Sequence, residues 1–376
     1  MKHMVERGHI GLICMLLMGF LGLIVSGCAT TTREFILDSP RHRLTNGFRL
    51  LELGRIEDAR REFRSALKLD PNCCEAYRGI GLSFGMQERF EEAFKAMNQA
   101  RLCAQGEKEK ALANVGFMRL TTLQKGKNWI DRTERFFLEA LDHDPDSFEA
   151  YYYMGAAYAR AKMFPKALWA YQKAVEIDGP FREKAQSELD LISKVIKANP
   201  HSELGQNIAL KTALTRADAA ALFVRELHVV DVYREKGIKY LSEETKNISV
   251  PEDITRHPFK KEIIKILRLG IQGLSLLPDG SFGPNMPISR SEFATMLAHI
   301  VRKVELIGPS EDQGREVRNP FEDVSEEAPY FADVILCART THVMQPDHGL
   351  FEPMELISGP EALLAIRKLK DMLGFE

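Results

Sequence analysis

A chain of 376 residues, 45% hydrophobic and 28% charged, has the makeup of a folded protein and is long enough for two domains with appendages. Its 51 Lys and Arg stand against 53 Asp and Glu, a formal net charge of −2. No global basic field exists to neutralise phosphates, so nucleic acid is excluded as a main partner.

The N-terminus reads as a leader rather than part of the fold. Lys2 and Arg7 precede an apolar run from Ile10 to Val25. That run is short for a transmembrane helix, which needs about 20 apolar residues, and suits a secretory segment. It ends in Val25-Ser26-Gly27-Cys28, which resembles a bacterial lipobox. The resemblance implies a signal peptide over 1–27, lipidation of Cys28 and a tether over 28–39. Ala29 follows the cysteine where an Asp would divert sorting, which favours the outer membrane. Of the other cysteines, Cys73, Cys74, Cys103 and Cys337 follow the leader without a CxxC or a His/Cys ligand spacing, so neither metal nor cofactor is expected.

Residues 40–199 carry a fixed-period pattern. Tyr77-x2-Ile80-Gly81-x2-Phe84 recurs as Tyr151-x2-Met154-Gly155-x2-Tyr158. Ala93-x3-Met97-x2-Ala100 recurs as Ala167-x3-Tyr171-x2-Ala174. An earlier copy holds Gly47, Leu50, Ala59, Phe63, Ala66 and Pro71. The pattern resembles the tetratricopeptide repeat, and the resemblance implies about four helix–turn–helix repeats closed by a capping helix over 181–198. In the third copy Gly116 marks the first helix, and extra residues around Gln124–Asn128 lengthen the turn. One repeat cannot bury its apolar face alone, so the stack folds as a whole.

In that family function lies on the concave surface. The resemblance puts Phe48, Arg78, Leu82, Met86, Phe117, Leu120, Tyr152 and Arg160 there. The set is mostly apolar and fits an apolar or aromatic peptide, or a partner helix. Cys74 opens one helix and Cys103 closes its antiparallel neighbour, so a bridge between them is geometrically possible. Free thiols, with Cys73 as a competing partner, are the alternative.

After a linker at 200–213, residues 214–376 repeat a second phrase. Leu214-Thr215-Arg216-Ala217-Asp218 returns as Ile288-Ser289-Arg290-Ser291-Glu292 and as Ile357-Ser358-Gly359-Pro360-Glu361. The second unit, over about 250–305, adds Leu269-Gly270-Ile271 and Pro278-Asp279-Gly280-Ser281-Phe282. A third spans about 320–376. This resembles the S-layer homology domain and implies an α-helical module with short extended loops. Residues 201–213 are too few for a leading helix, so the first unit is truncated, and residues 228–250 are candidates to fill the gap.

Ser or Thr followed three residues later by Asp or Glu is a capping box. Thr215 with Asp218, Ser289 with Glu292 and Ser358 with Glu361 fit it, so these residues are explained by helix starts alone. Arg216 and Arg290 are not, since a cation at the first helical position opposes the dipole by about 0.3–1 kcal/mol. With free amides it makes an anion site, and the resemblance implies that it holds an acidic wall glycan. Gly359 takes its place in the third unit, where glycan affinity is expected to be lost.

No nucleophile elbow, P-loop, HExxH or dinucleotide fingerprint is present. The expected protein is mainly α: a tetratricopeptide-type solenoid followed by the S-layer-homology-like module, with no enzyme activity. It is read as an exported, lipid-anchored envelope scaffold that binds a protein partner and a wall or acidic glycan. The alternative is an assembly lipoprotein of a secretion, pilus or polysaccharide-export machine, whose module docks protein.

Overall fold

The structure, a computed structural model, describes residues 39–177, 179–238, 250–305, 319–346 and 349–374. The leader and Cys28 lie outside the described residues. Among those described, the elements are helical apart from two isolated β-bridges. The chain divides into two compact units, Met1–Ala157 with Lys173–Pro180, and Tyr158–Gln172 with Phe181–Glu376.

The first unit is built from consecutive antiparallel helices: α1 (Pro40–Glu52), α2 (Ile56–Leu69), α3 (Cys74–Gly85), α4 (Phe90–Cys103), α5 (Glu107–Gln124) and α6 (Trp129–His143). Helices α7 (Phe148–Arg160) and α8 (Phe164–Glu176) are divided between the units. Ser39 caps α1 by accepting from the His42 amide at 3.2 Å, and Pro40 sits in the first turn, where its missing N–H costs nothing. The core is a column of Phe63, Met97 and their neighbours, packed on small residues that let helices close up. A side chain at Gly81 would press on the Ala93 carbonyl at 3.0 Å. Cys74 and Cys103 are joined as a disulfide, with Cα atoms 5.6 Å apart.

The third hairpin departs from expectation. The loops 86–89 and 125–128 are equally long, so no extra residues lengthen its turn; they extend α5 instead. The close approach between α5 and α6 falls at Thr121, whose hydroxyl meets that of Thr133 at 2.8 Å. Thr121 therefore stands where Gly81 stands in the second repeat. Gly116 instead makes room for Met97 and Arg78.

The second unit contains α9 (Arg182–Ala198), α10 (Glu203–Ile208), α11 (Arg216–Arg225), α12 (Val229–Glu235), a 3₁₀ turn (Glu252–Ile254), α13 (Lys260–Leu269), α14 (Arg290–Glu305), α15 (Phe331–Ile335) running into a π-turn (Leu336–Thr340), and α16 (Gly359–Leu373). The capping helix α9 packs on α16 within this unit, so the division falls earlier in the chain than 200–213. The first repeat of the module has α10 and α12 around α11; of the gap-filling candidates, residues 239–249 lie outside the described residues.

The three copies of the repeated phrase meet in a ring. The Leu214 amide donates to the Ile357 carbonyl (2.9 Å), Ile357 to Ile288 (3.1 Å), and Ile288 back to Leu214 (3.0 Å). All three side chains are buried, with 0 to 1% exposure. This closed cycle relates the units by an approximate threefold and pins the starts of α11, α14 and α16 together. Behind it the Phe223 and Phe293 rings stack at 5.6 Å. Each start is closed by its capping box: Thr215 with Asp218, Ser289 with Glu292, and Ser358 with Glu361.

Candidate functional site

The motif arginines are not open cations. Arg216 donates from Nε to the Phe282 carbonyl (2.8 Å), from Nη1 to Gly273 (2.7 Å) and from Nη2 to Ser275 (2.6 Å). Its guanidinium lies 4.9 Å over the Phe282 ring. Burial pulls its pKa below the usual guanidinium value, against the influence of Glu292 and Asp253. Arg290 repeats the arrangement one unit on. It donates to the Phe351 carbonyl (2.7 Å), to Glu361 (2.9 Å) and to the Gln345 carbonyl (3.0 Å), with the Phe351 ring at 5.2 Å. Each arginine therefore staples the loop of the following unit. The expectation of a free anion-gripping arginine is corrected, because the backbone carbonyls of those loops need donors and the guanidinium fork supplies them.

The same logic explains Gly359. An arginine there would have to reach into the truncated first unit, whose 208–211 backbone already stands against the start of α16. Instead the Lys211 carbonyl accepts from the Gly359 amide at 2.8 Å, and a Cβ on Gly359 would overlap the Ile208 carbonyl oxygen. The glycine marks close backbone approach.

Two residues escaped the sequence reading. Asp253 accepts from the amides of Phe282 (3.1 Å) and Gly283 (2.7 Å), and Asp323 from those of Phe351 (3.0 Å) and Glu352 (2.6 Å). Phe282 and Phe351 are thus held at both backbone groups, by an acid of their own unit and an arginine of the previous one. The signal was present as Glu-Asp-Ile at 252–254 and Glu-Asp-Val at 322–324.

A cleft of about 400 Å³ opens beside Arg290. Its wall carries Asp190 and Lys194 of α9, with Glu352, Glu355 and Glu361 opposite. Lys194 reaches Glu361 at 3.7 Å and keeps 45% of its side chain exposed, whereas that of Arg290 keeps 4%. Burial pushes Glu361 up, but the Ser358 hydroxyl, Arg290 and Lys194 outweigh it and leave the carboxyl below its usual range. Four carboxylates against two cations make this cleft net acidic. It suits hydroxyl- and amine-bearing groups better than an acidic glycan.

In the first unit the expected groove residues separate. Leu82, Phe117 and Leu120 are buried in the core, with 1%, 4% and 0% exposure, and Tyr152 is buried as well. They are corrected from groove to packing residues. Phe117 stacks on Phe136 at 4.9 Å, and Leu120 fills the space beside Gly85, because α5 is set by Thr121 rather than Gly116. Phe48 and Arg78 are half-buried, while Met86 and Arg160 are exposed. Arg119 and Tyr153, which the sequence reading passed over, are half-buried beside Arg78.

Among the described residues no three or more His, Cys, Asp or Glu side chains converge as a metal site, and no helix is long and apolar enough to cross a membrane. The fold is a helical-repeat array followed by a ring-closed helical module. A family model for the tetratricopeptide repeat matches residues 44–107 and 134–182, and one for the S-layer homology domain matches residues 252–294. No curated protein matches the chain. The chain therefore carries tetratricopeptide repeats followed by an S-layer homology domain, both non-catalytic domain types. The first suggests protein binding, and the second suggests cell-wall binding and association with the envelope.

Proposed function

We propose that the protein is a non-enzymatic scaffold of the cell envelope. Lipid on Cys28 holds it to a membrane, by sorting logic the outer one, the repeat array engages a protein partner, and the second unit holds a wall polymer. The observation that carries this reading is the joining of the two domain types on one chain. The cleft beside Arg290 supports it and narrows the ligand to a neutral or amino-bearing wall glycan, given its four carboxylates. Several weak attachments on one chain raise effective concentration, so none needs high affinity.

The test is retention on purified wall sacculi. Wild-type protein is expected to be retained, and Asp190→Asn with Glu355→Gln to reduce retention about tenfold. Unchanged retention in that variant would remove the cleft from the proposal; absence of retention in the wild type would remove the wall. Incorporation of labelled palmitate, abolished by Cys28→Ser, checks the anchor. A photocrosslinker at the exposed Met86 reports the protein partner.

A second reading is favoured by the burial of both motif arginines and by the exposed Met354 and Leu356, 66% and 45% accessible. In it the module docks protein in a secretion, pilus or polysaccharide-export assembly. A stoichiometric membrane-protein partner without wall retention would select it.

A further inference from the structure

Four side chains, Phe48, Arg78, Arg119 and Tyr153, come one each from α1, α3, α5 and α7, the successive first helices of the array. The Arg78 guanidinium lies 4.9 Å over the Phe48 ring, and that of Arg119 lies 4.3 Å over Tyr153. The order is ring, cation, cation, ring.

The two cations lack what other arginines of this unit possess. Arg43 pairs with Glu62, Arg55 with Asp58, Arg60 with Glu57 and Arg89 with Glu92. Arg78 and Arg119 make no ion pair and no hydrogen bond among the described residues. The Arg78 Nε is shut off from solvent and finds no acceptor among the described residues. Burial first pulls the Arg78 pKa down; Glu75, which lines the same small cavity, raises it, the like charge of Arg119 lowers it, and Tyr153 and Glu149 oppose more weakly. A buried donor without an acceptor costs about 1–3 kcal/mol, and two adjacent guanidiniums repel. An anion set against the guanidinium ends of both relieves the repulsion, and a carboxylate matches the planar fork of each.

We propose that Arg78 and Arg119 form a seat for a side-chain carboxylate of an acidic peptide, with Phe48 and Tyr153 receiving the apolar residues that flank it. This rests on the reading that the array binds a protein partner, and it names that partner's chemistry. A peptide fits better than a lone anion, because the rings extend the site beyond both cations. Rings and arginines are the side chains that dominate binding at protein interfaces.

Fluorescence anisotropy with the full chain tests it. The probes are a labelled peptide of alternating Glu and Leu and its counterpart of alternating Gln and Leu. The Glu peptide is expected to bind about tenfold tighter than the Gln peptide, and Arg119→Gln to erase that margin. Arg119→Lys should restore part of it, since charge returns without the fork. Helicity and melting of each variant are followed in parallel, and Arg78→Gln provides a second route should Arg119→Gln perturb the fold. Equal affinity for the two peptides, or no effect of either substitution, overturns the seat. So does saturation by inorganic phosphate alone with no preference for the Glu peptide, which would make it a small-anion site. A partner crosslinked at Met86 and still captured by the Arg78→Gln, Arg119→Gln chain would sink the seat while leaving protein binding intact. Absence of any partner at Met86 would sink protein binding itself.

Discussion

Removing the Arg216 guanidinium leaves the carbonyls of Phe282, Gly273 and Ser275 without their donor. Arg216→Ala is therefore expected to destabilise the second unit by about 3 kcal/mol, seen as a lower urea midpoint at unchanged slope. Arg216→Lys should recover little, because one ammonium cannot span three carbonyl directions. A wild-type midpoint in the alanine variant would restore the arginine to candidacy as a ligand. His299 sets an acid limit on the same unit. Burial above all, helped by Lys303 and Arg302 and opposed by Asp333, lowers its pKa from 6.5 to about 4. Among the described residues its buried Nε2 has no hydrogen-bond partner. The folded state thus refuses a proton that the unfolded state accepts below about pH 6.5. Stability from this group is full above that value and falls as pH drops toward 4. Allowing for partial exposure, the loss is on the order of 1–2 kcal/mol. His299→Leu should flatten this part of the stability–pH curve, and an unchanged acid limb would refute the assignment.

At the scale of elements, the disulfide ties the N-terminus of α3 to the C-terminus of α4 across 29 residues. A loop of that size corresponds to about 3–4 kcal/mol of stabilisation in the chain-entropy account. Reductant, or Cys74→Ala with Cys103→Ala, is expected to lower the melting temperature of the array. Identical melts with and without reductant would mean that the bridge contributes nothing. Much of this architecture was legible in the sequence because it is local. The capping boxes span four residues, and the Tyr-x2-Ile-Gly pattern lies within one helix. The third repeat was misread because Gly116 carries the right residue type, while the close approach is made by Thr121 with Thr133, a pair that no glycine pattern signals. That one shift put Phe117 and Leu120 in the groove and hid Arg119. The roles of Arg216 and Arg290 were illegible for a different reason. Apart from Glu361, which pairs with Arg290, their partners are backbone carbonyls 55 to 66 positions away, and a carbonyl leaves no trace in residue identity.

Over the whole module, the ring of Leu214, Ile288 and Ile357 makes folding a joint property of three units. Each amide in it is satisfied by a different unit, so deleting one unit strands a donor in one neighbour and an acceptor in the other, both buried. The first unit also supplies α11, which packs on α13, and Arg216, which fixes the loop around Phe282. Arg225 of the same helix pairs with the buried Glu262 at 2.7 Å. Truncated as it is, this unit is expected to be indispensable. A chain beginning at residue 250 keeps the whole segment matched by the S-layer homology family, 252–294. It nevertheless should show no cooperative melt and little slow amide exchange, whereas a chain beginning at residue 181 should show both. The family match alone predicts the opposite for the shorter chain. A sharp transition in that fragment would mean that the ring is a consequence of packing in the second and third units rather than a condition for it.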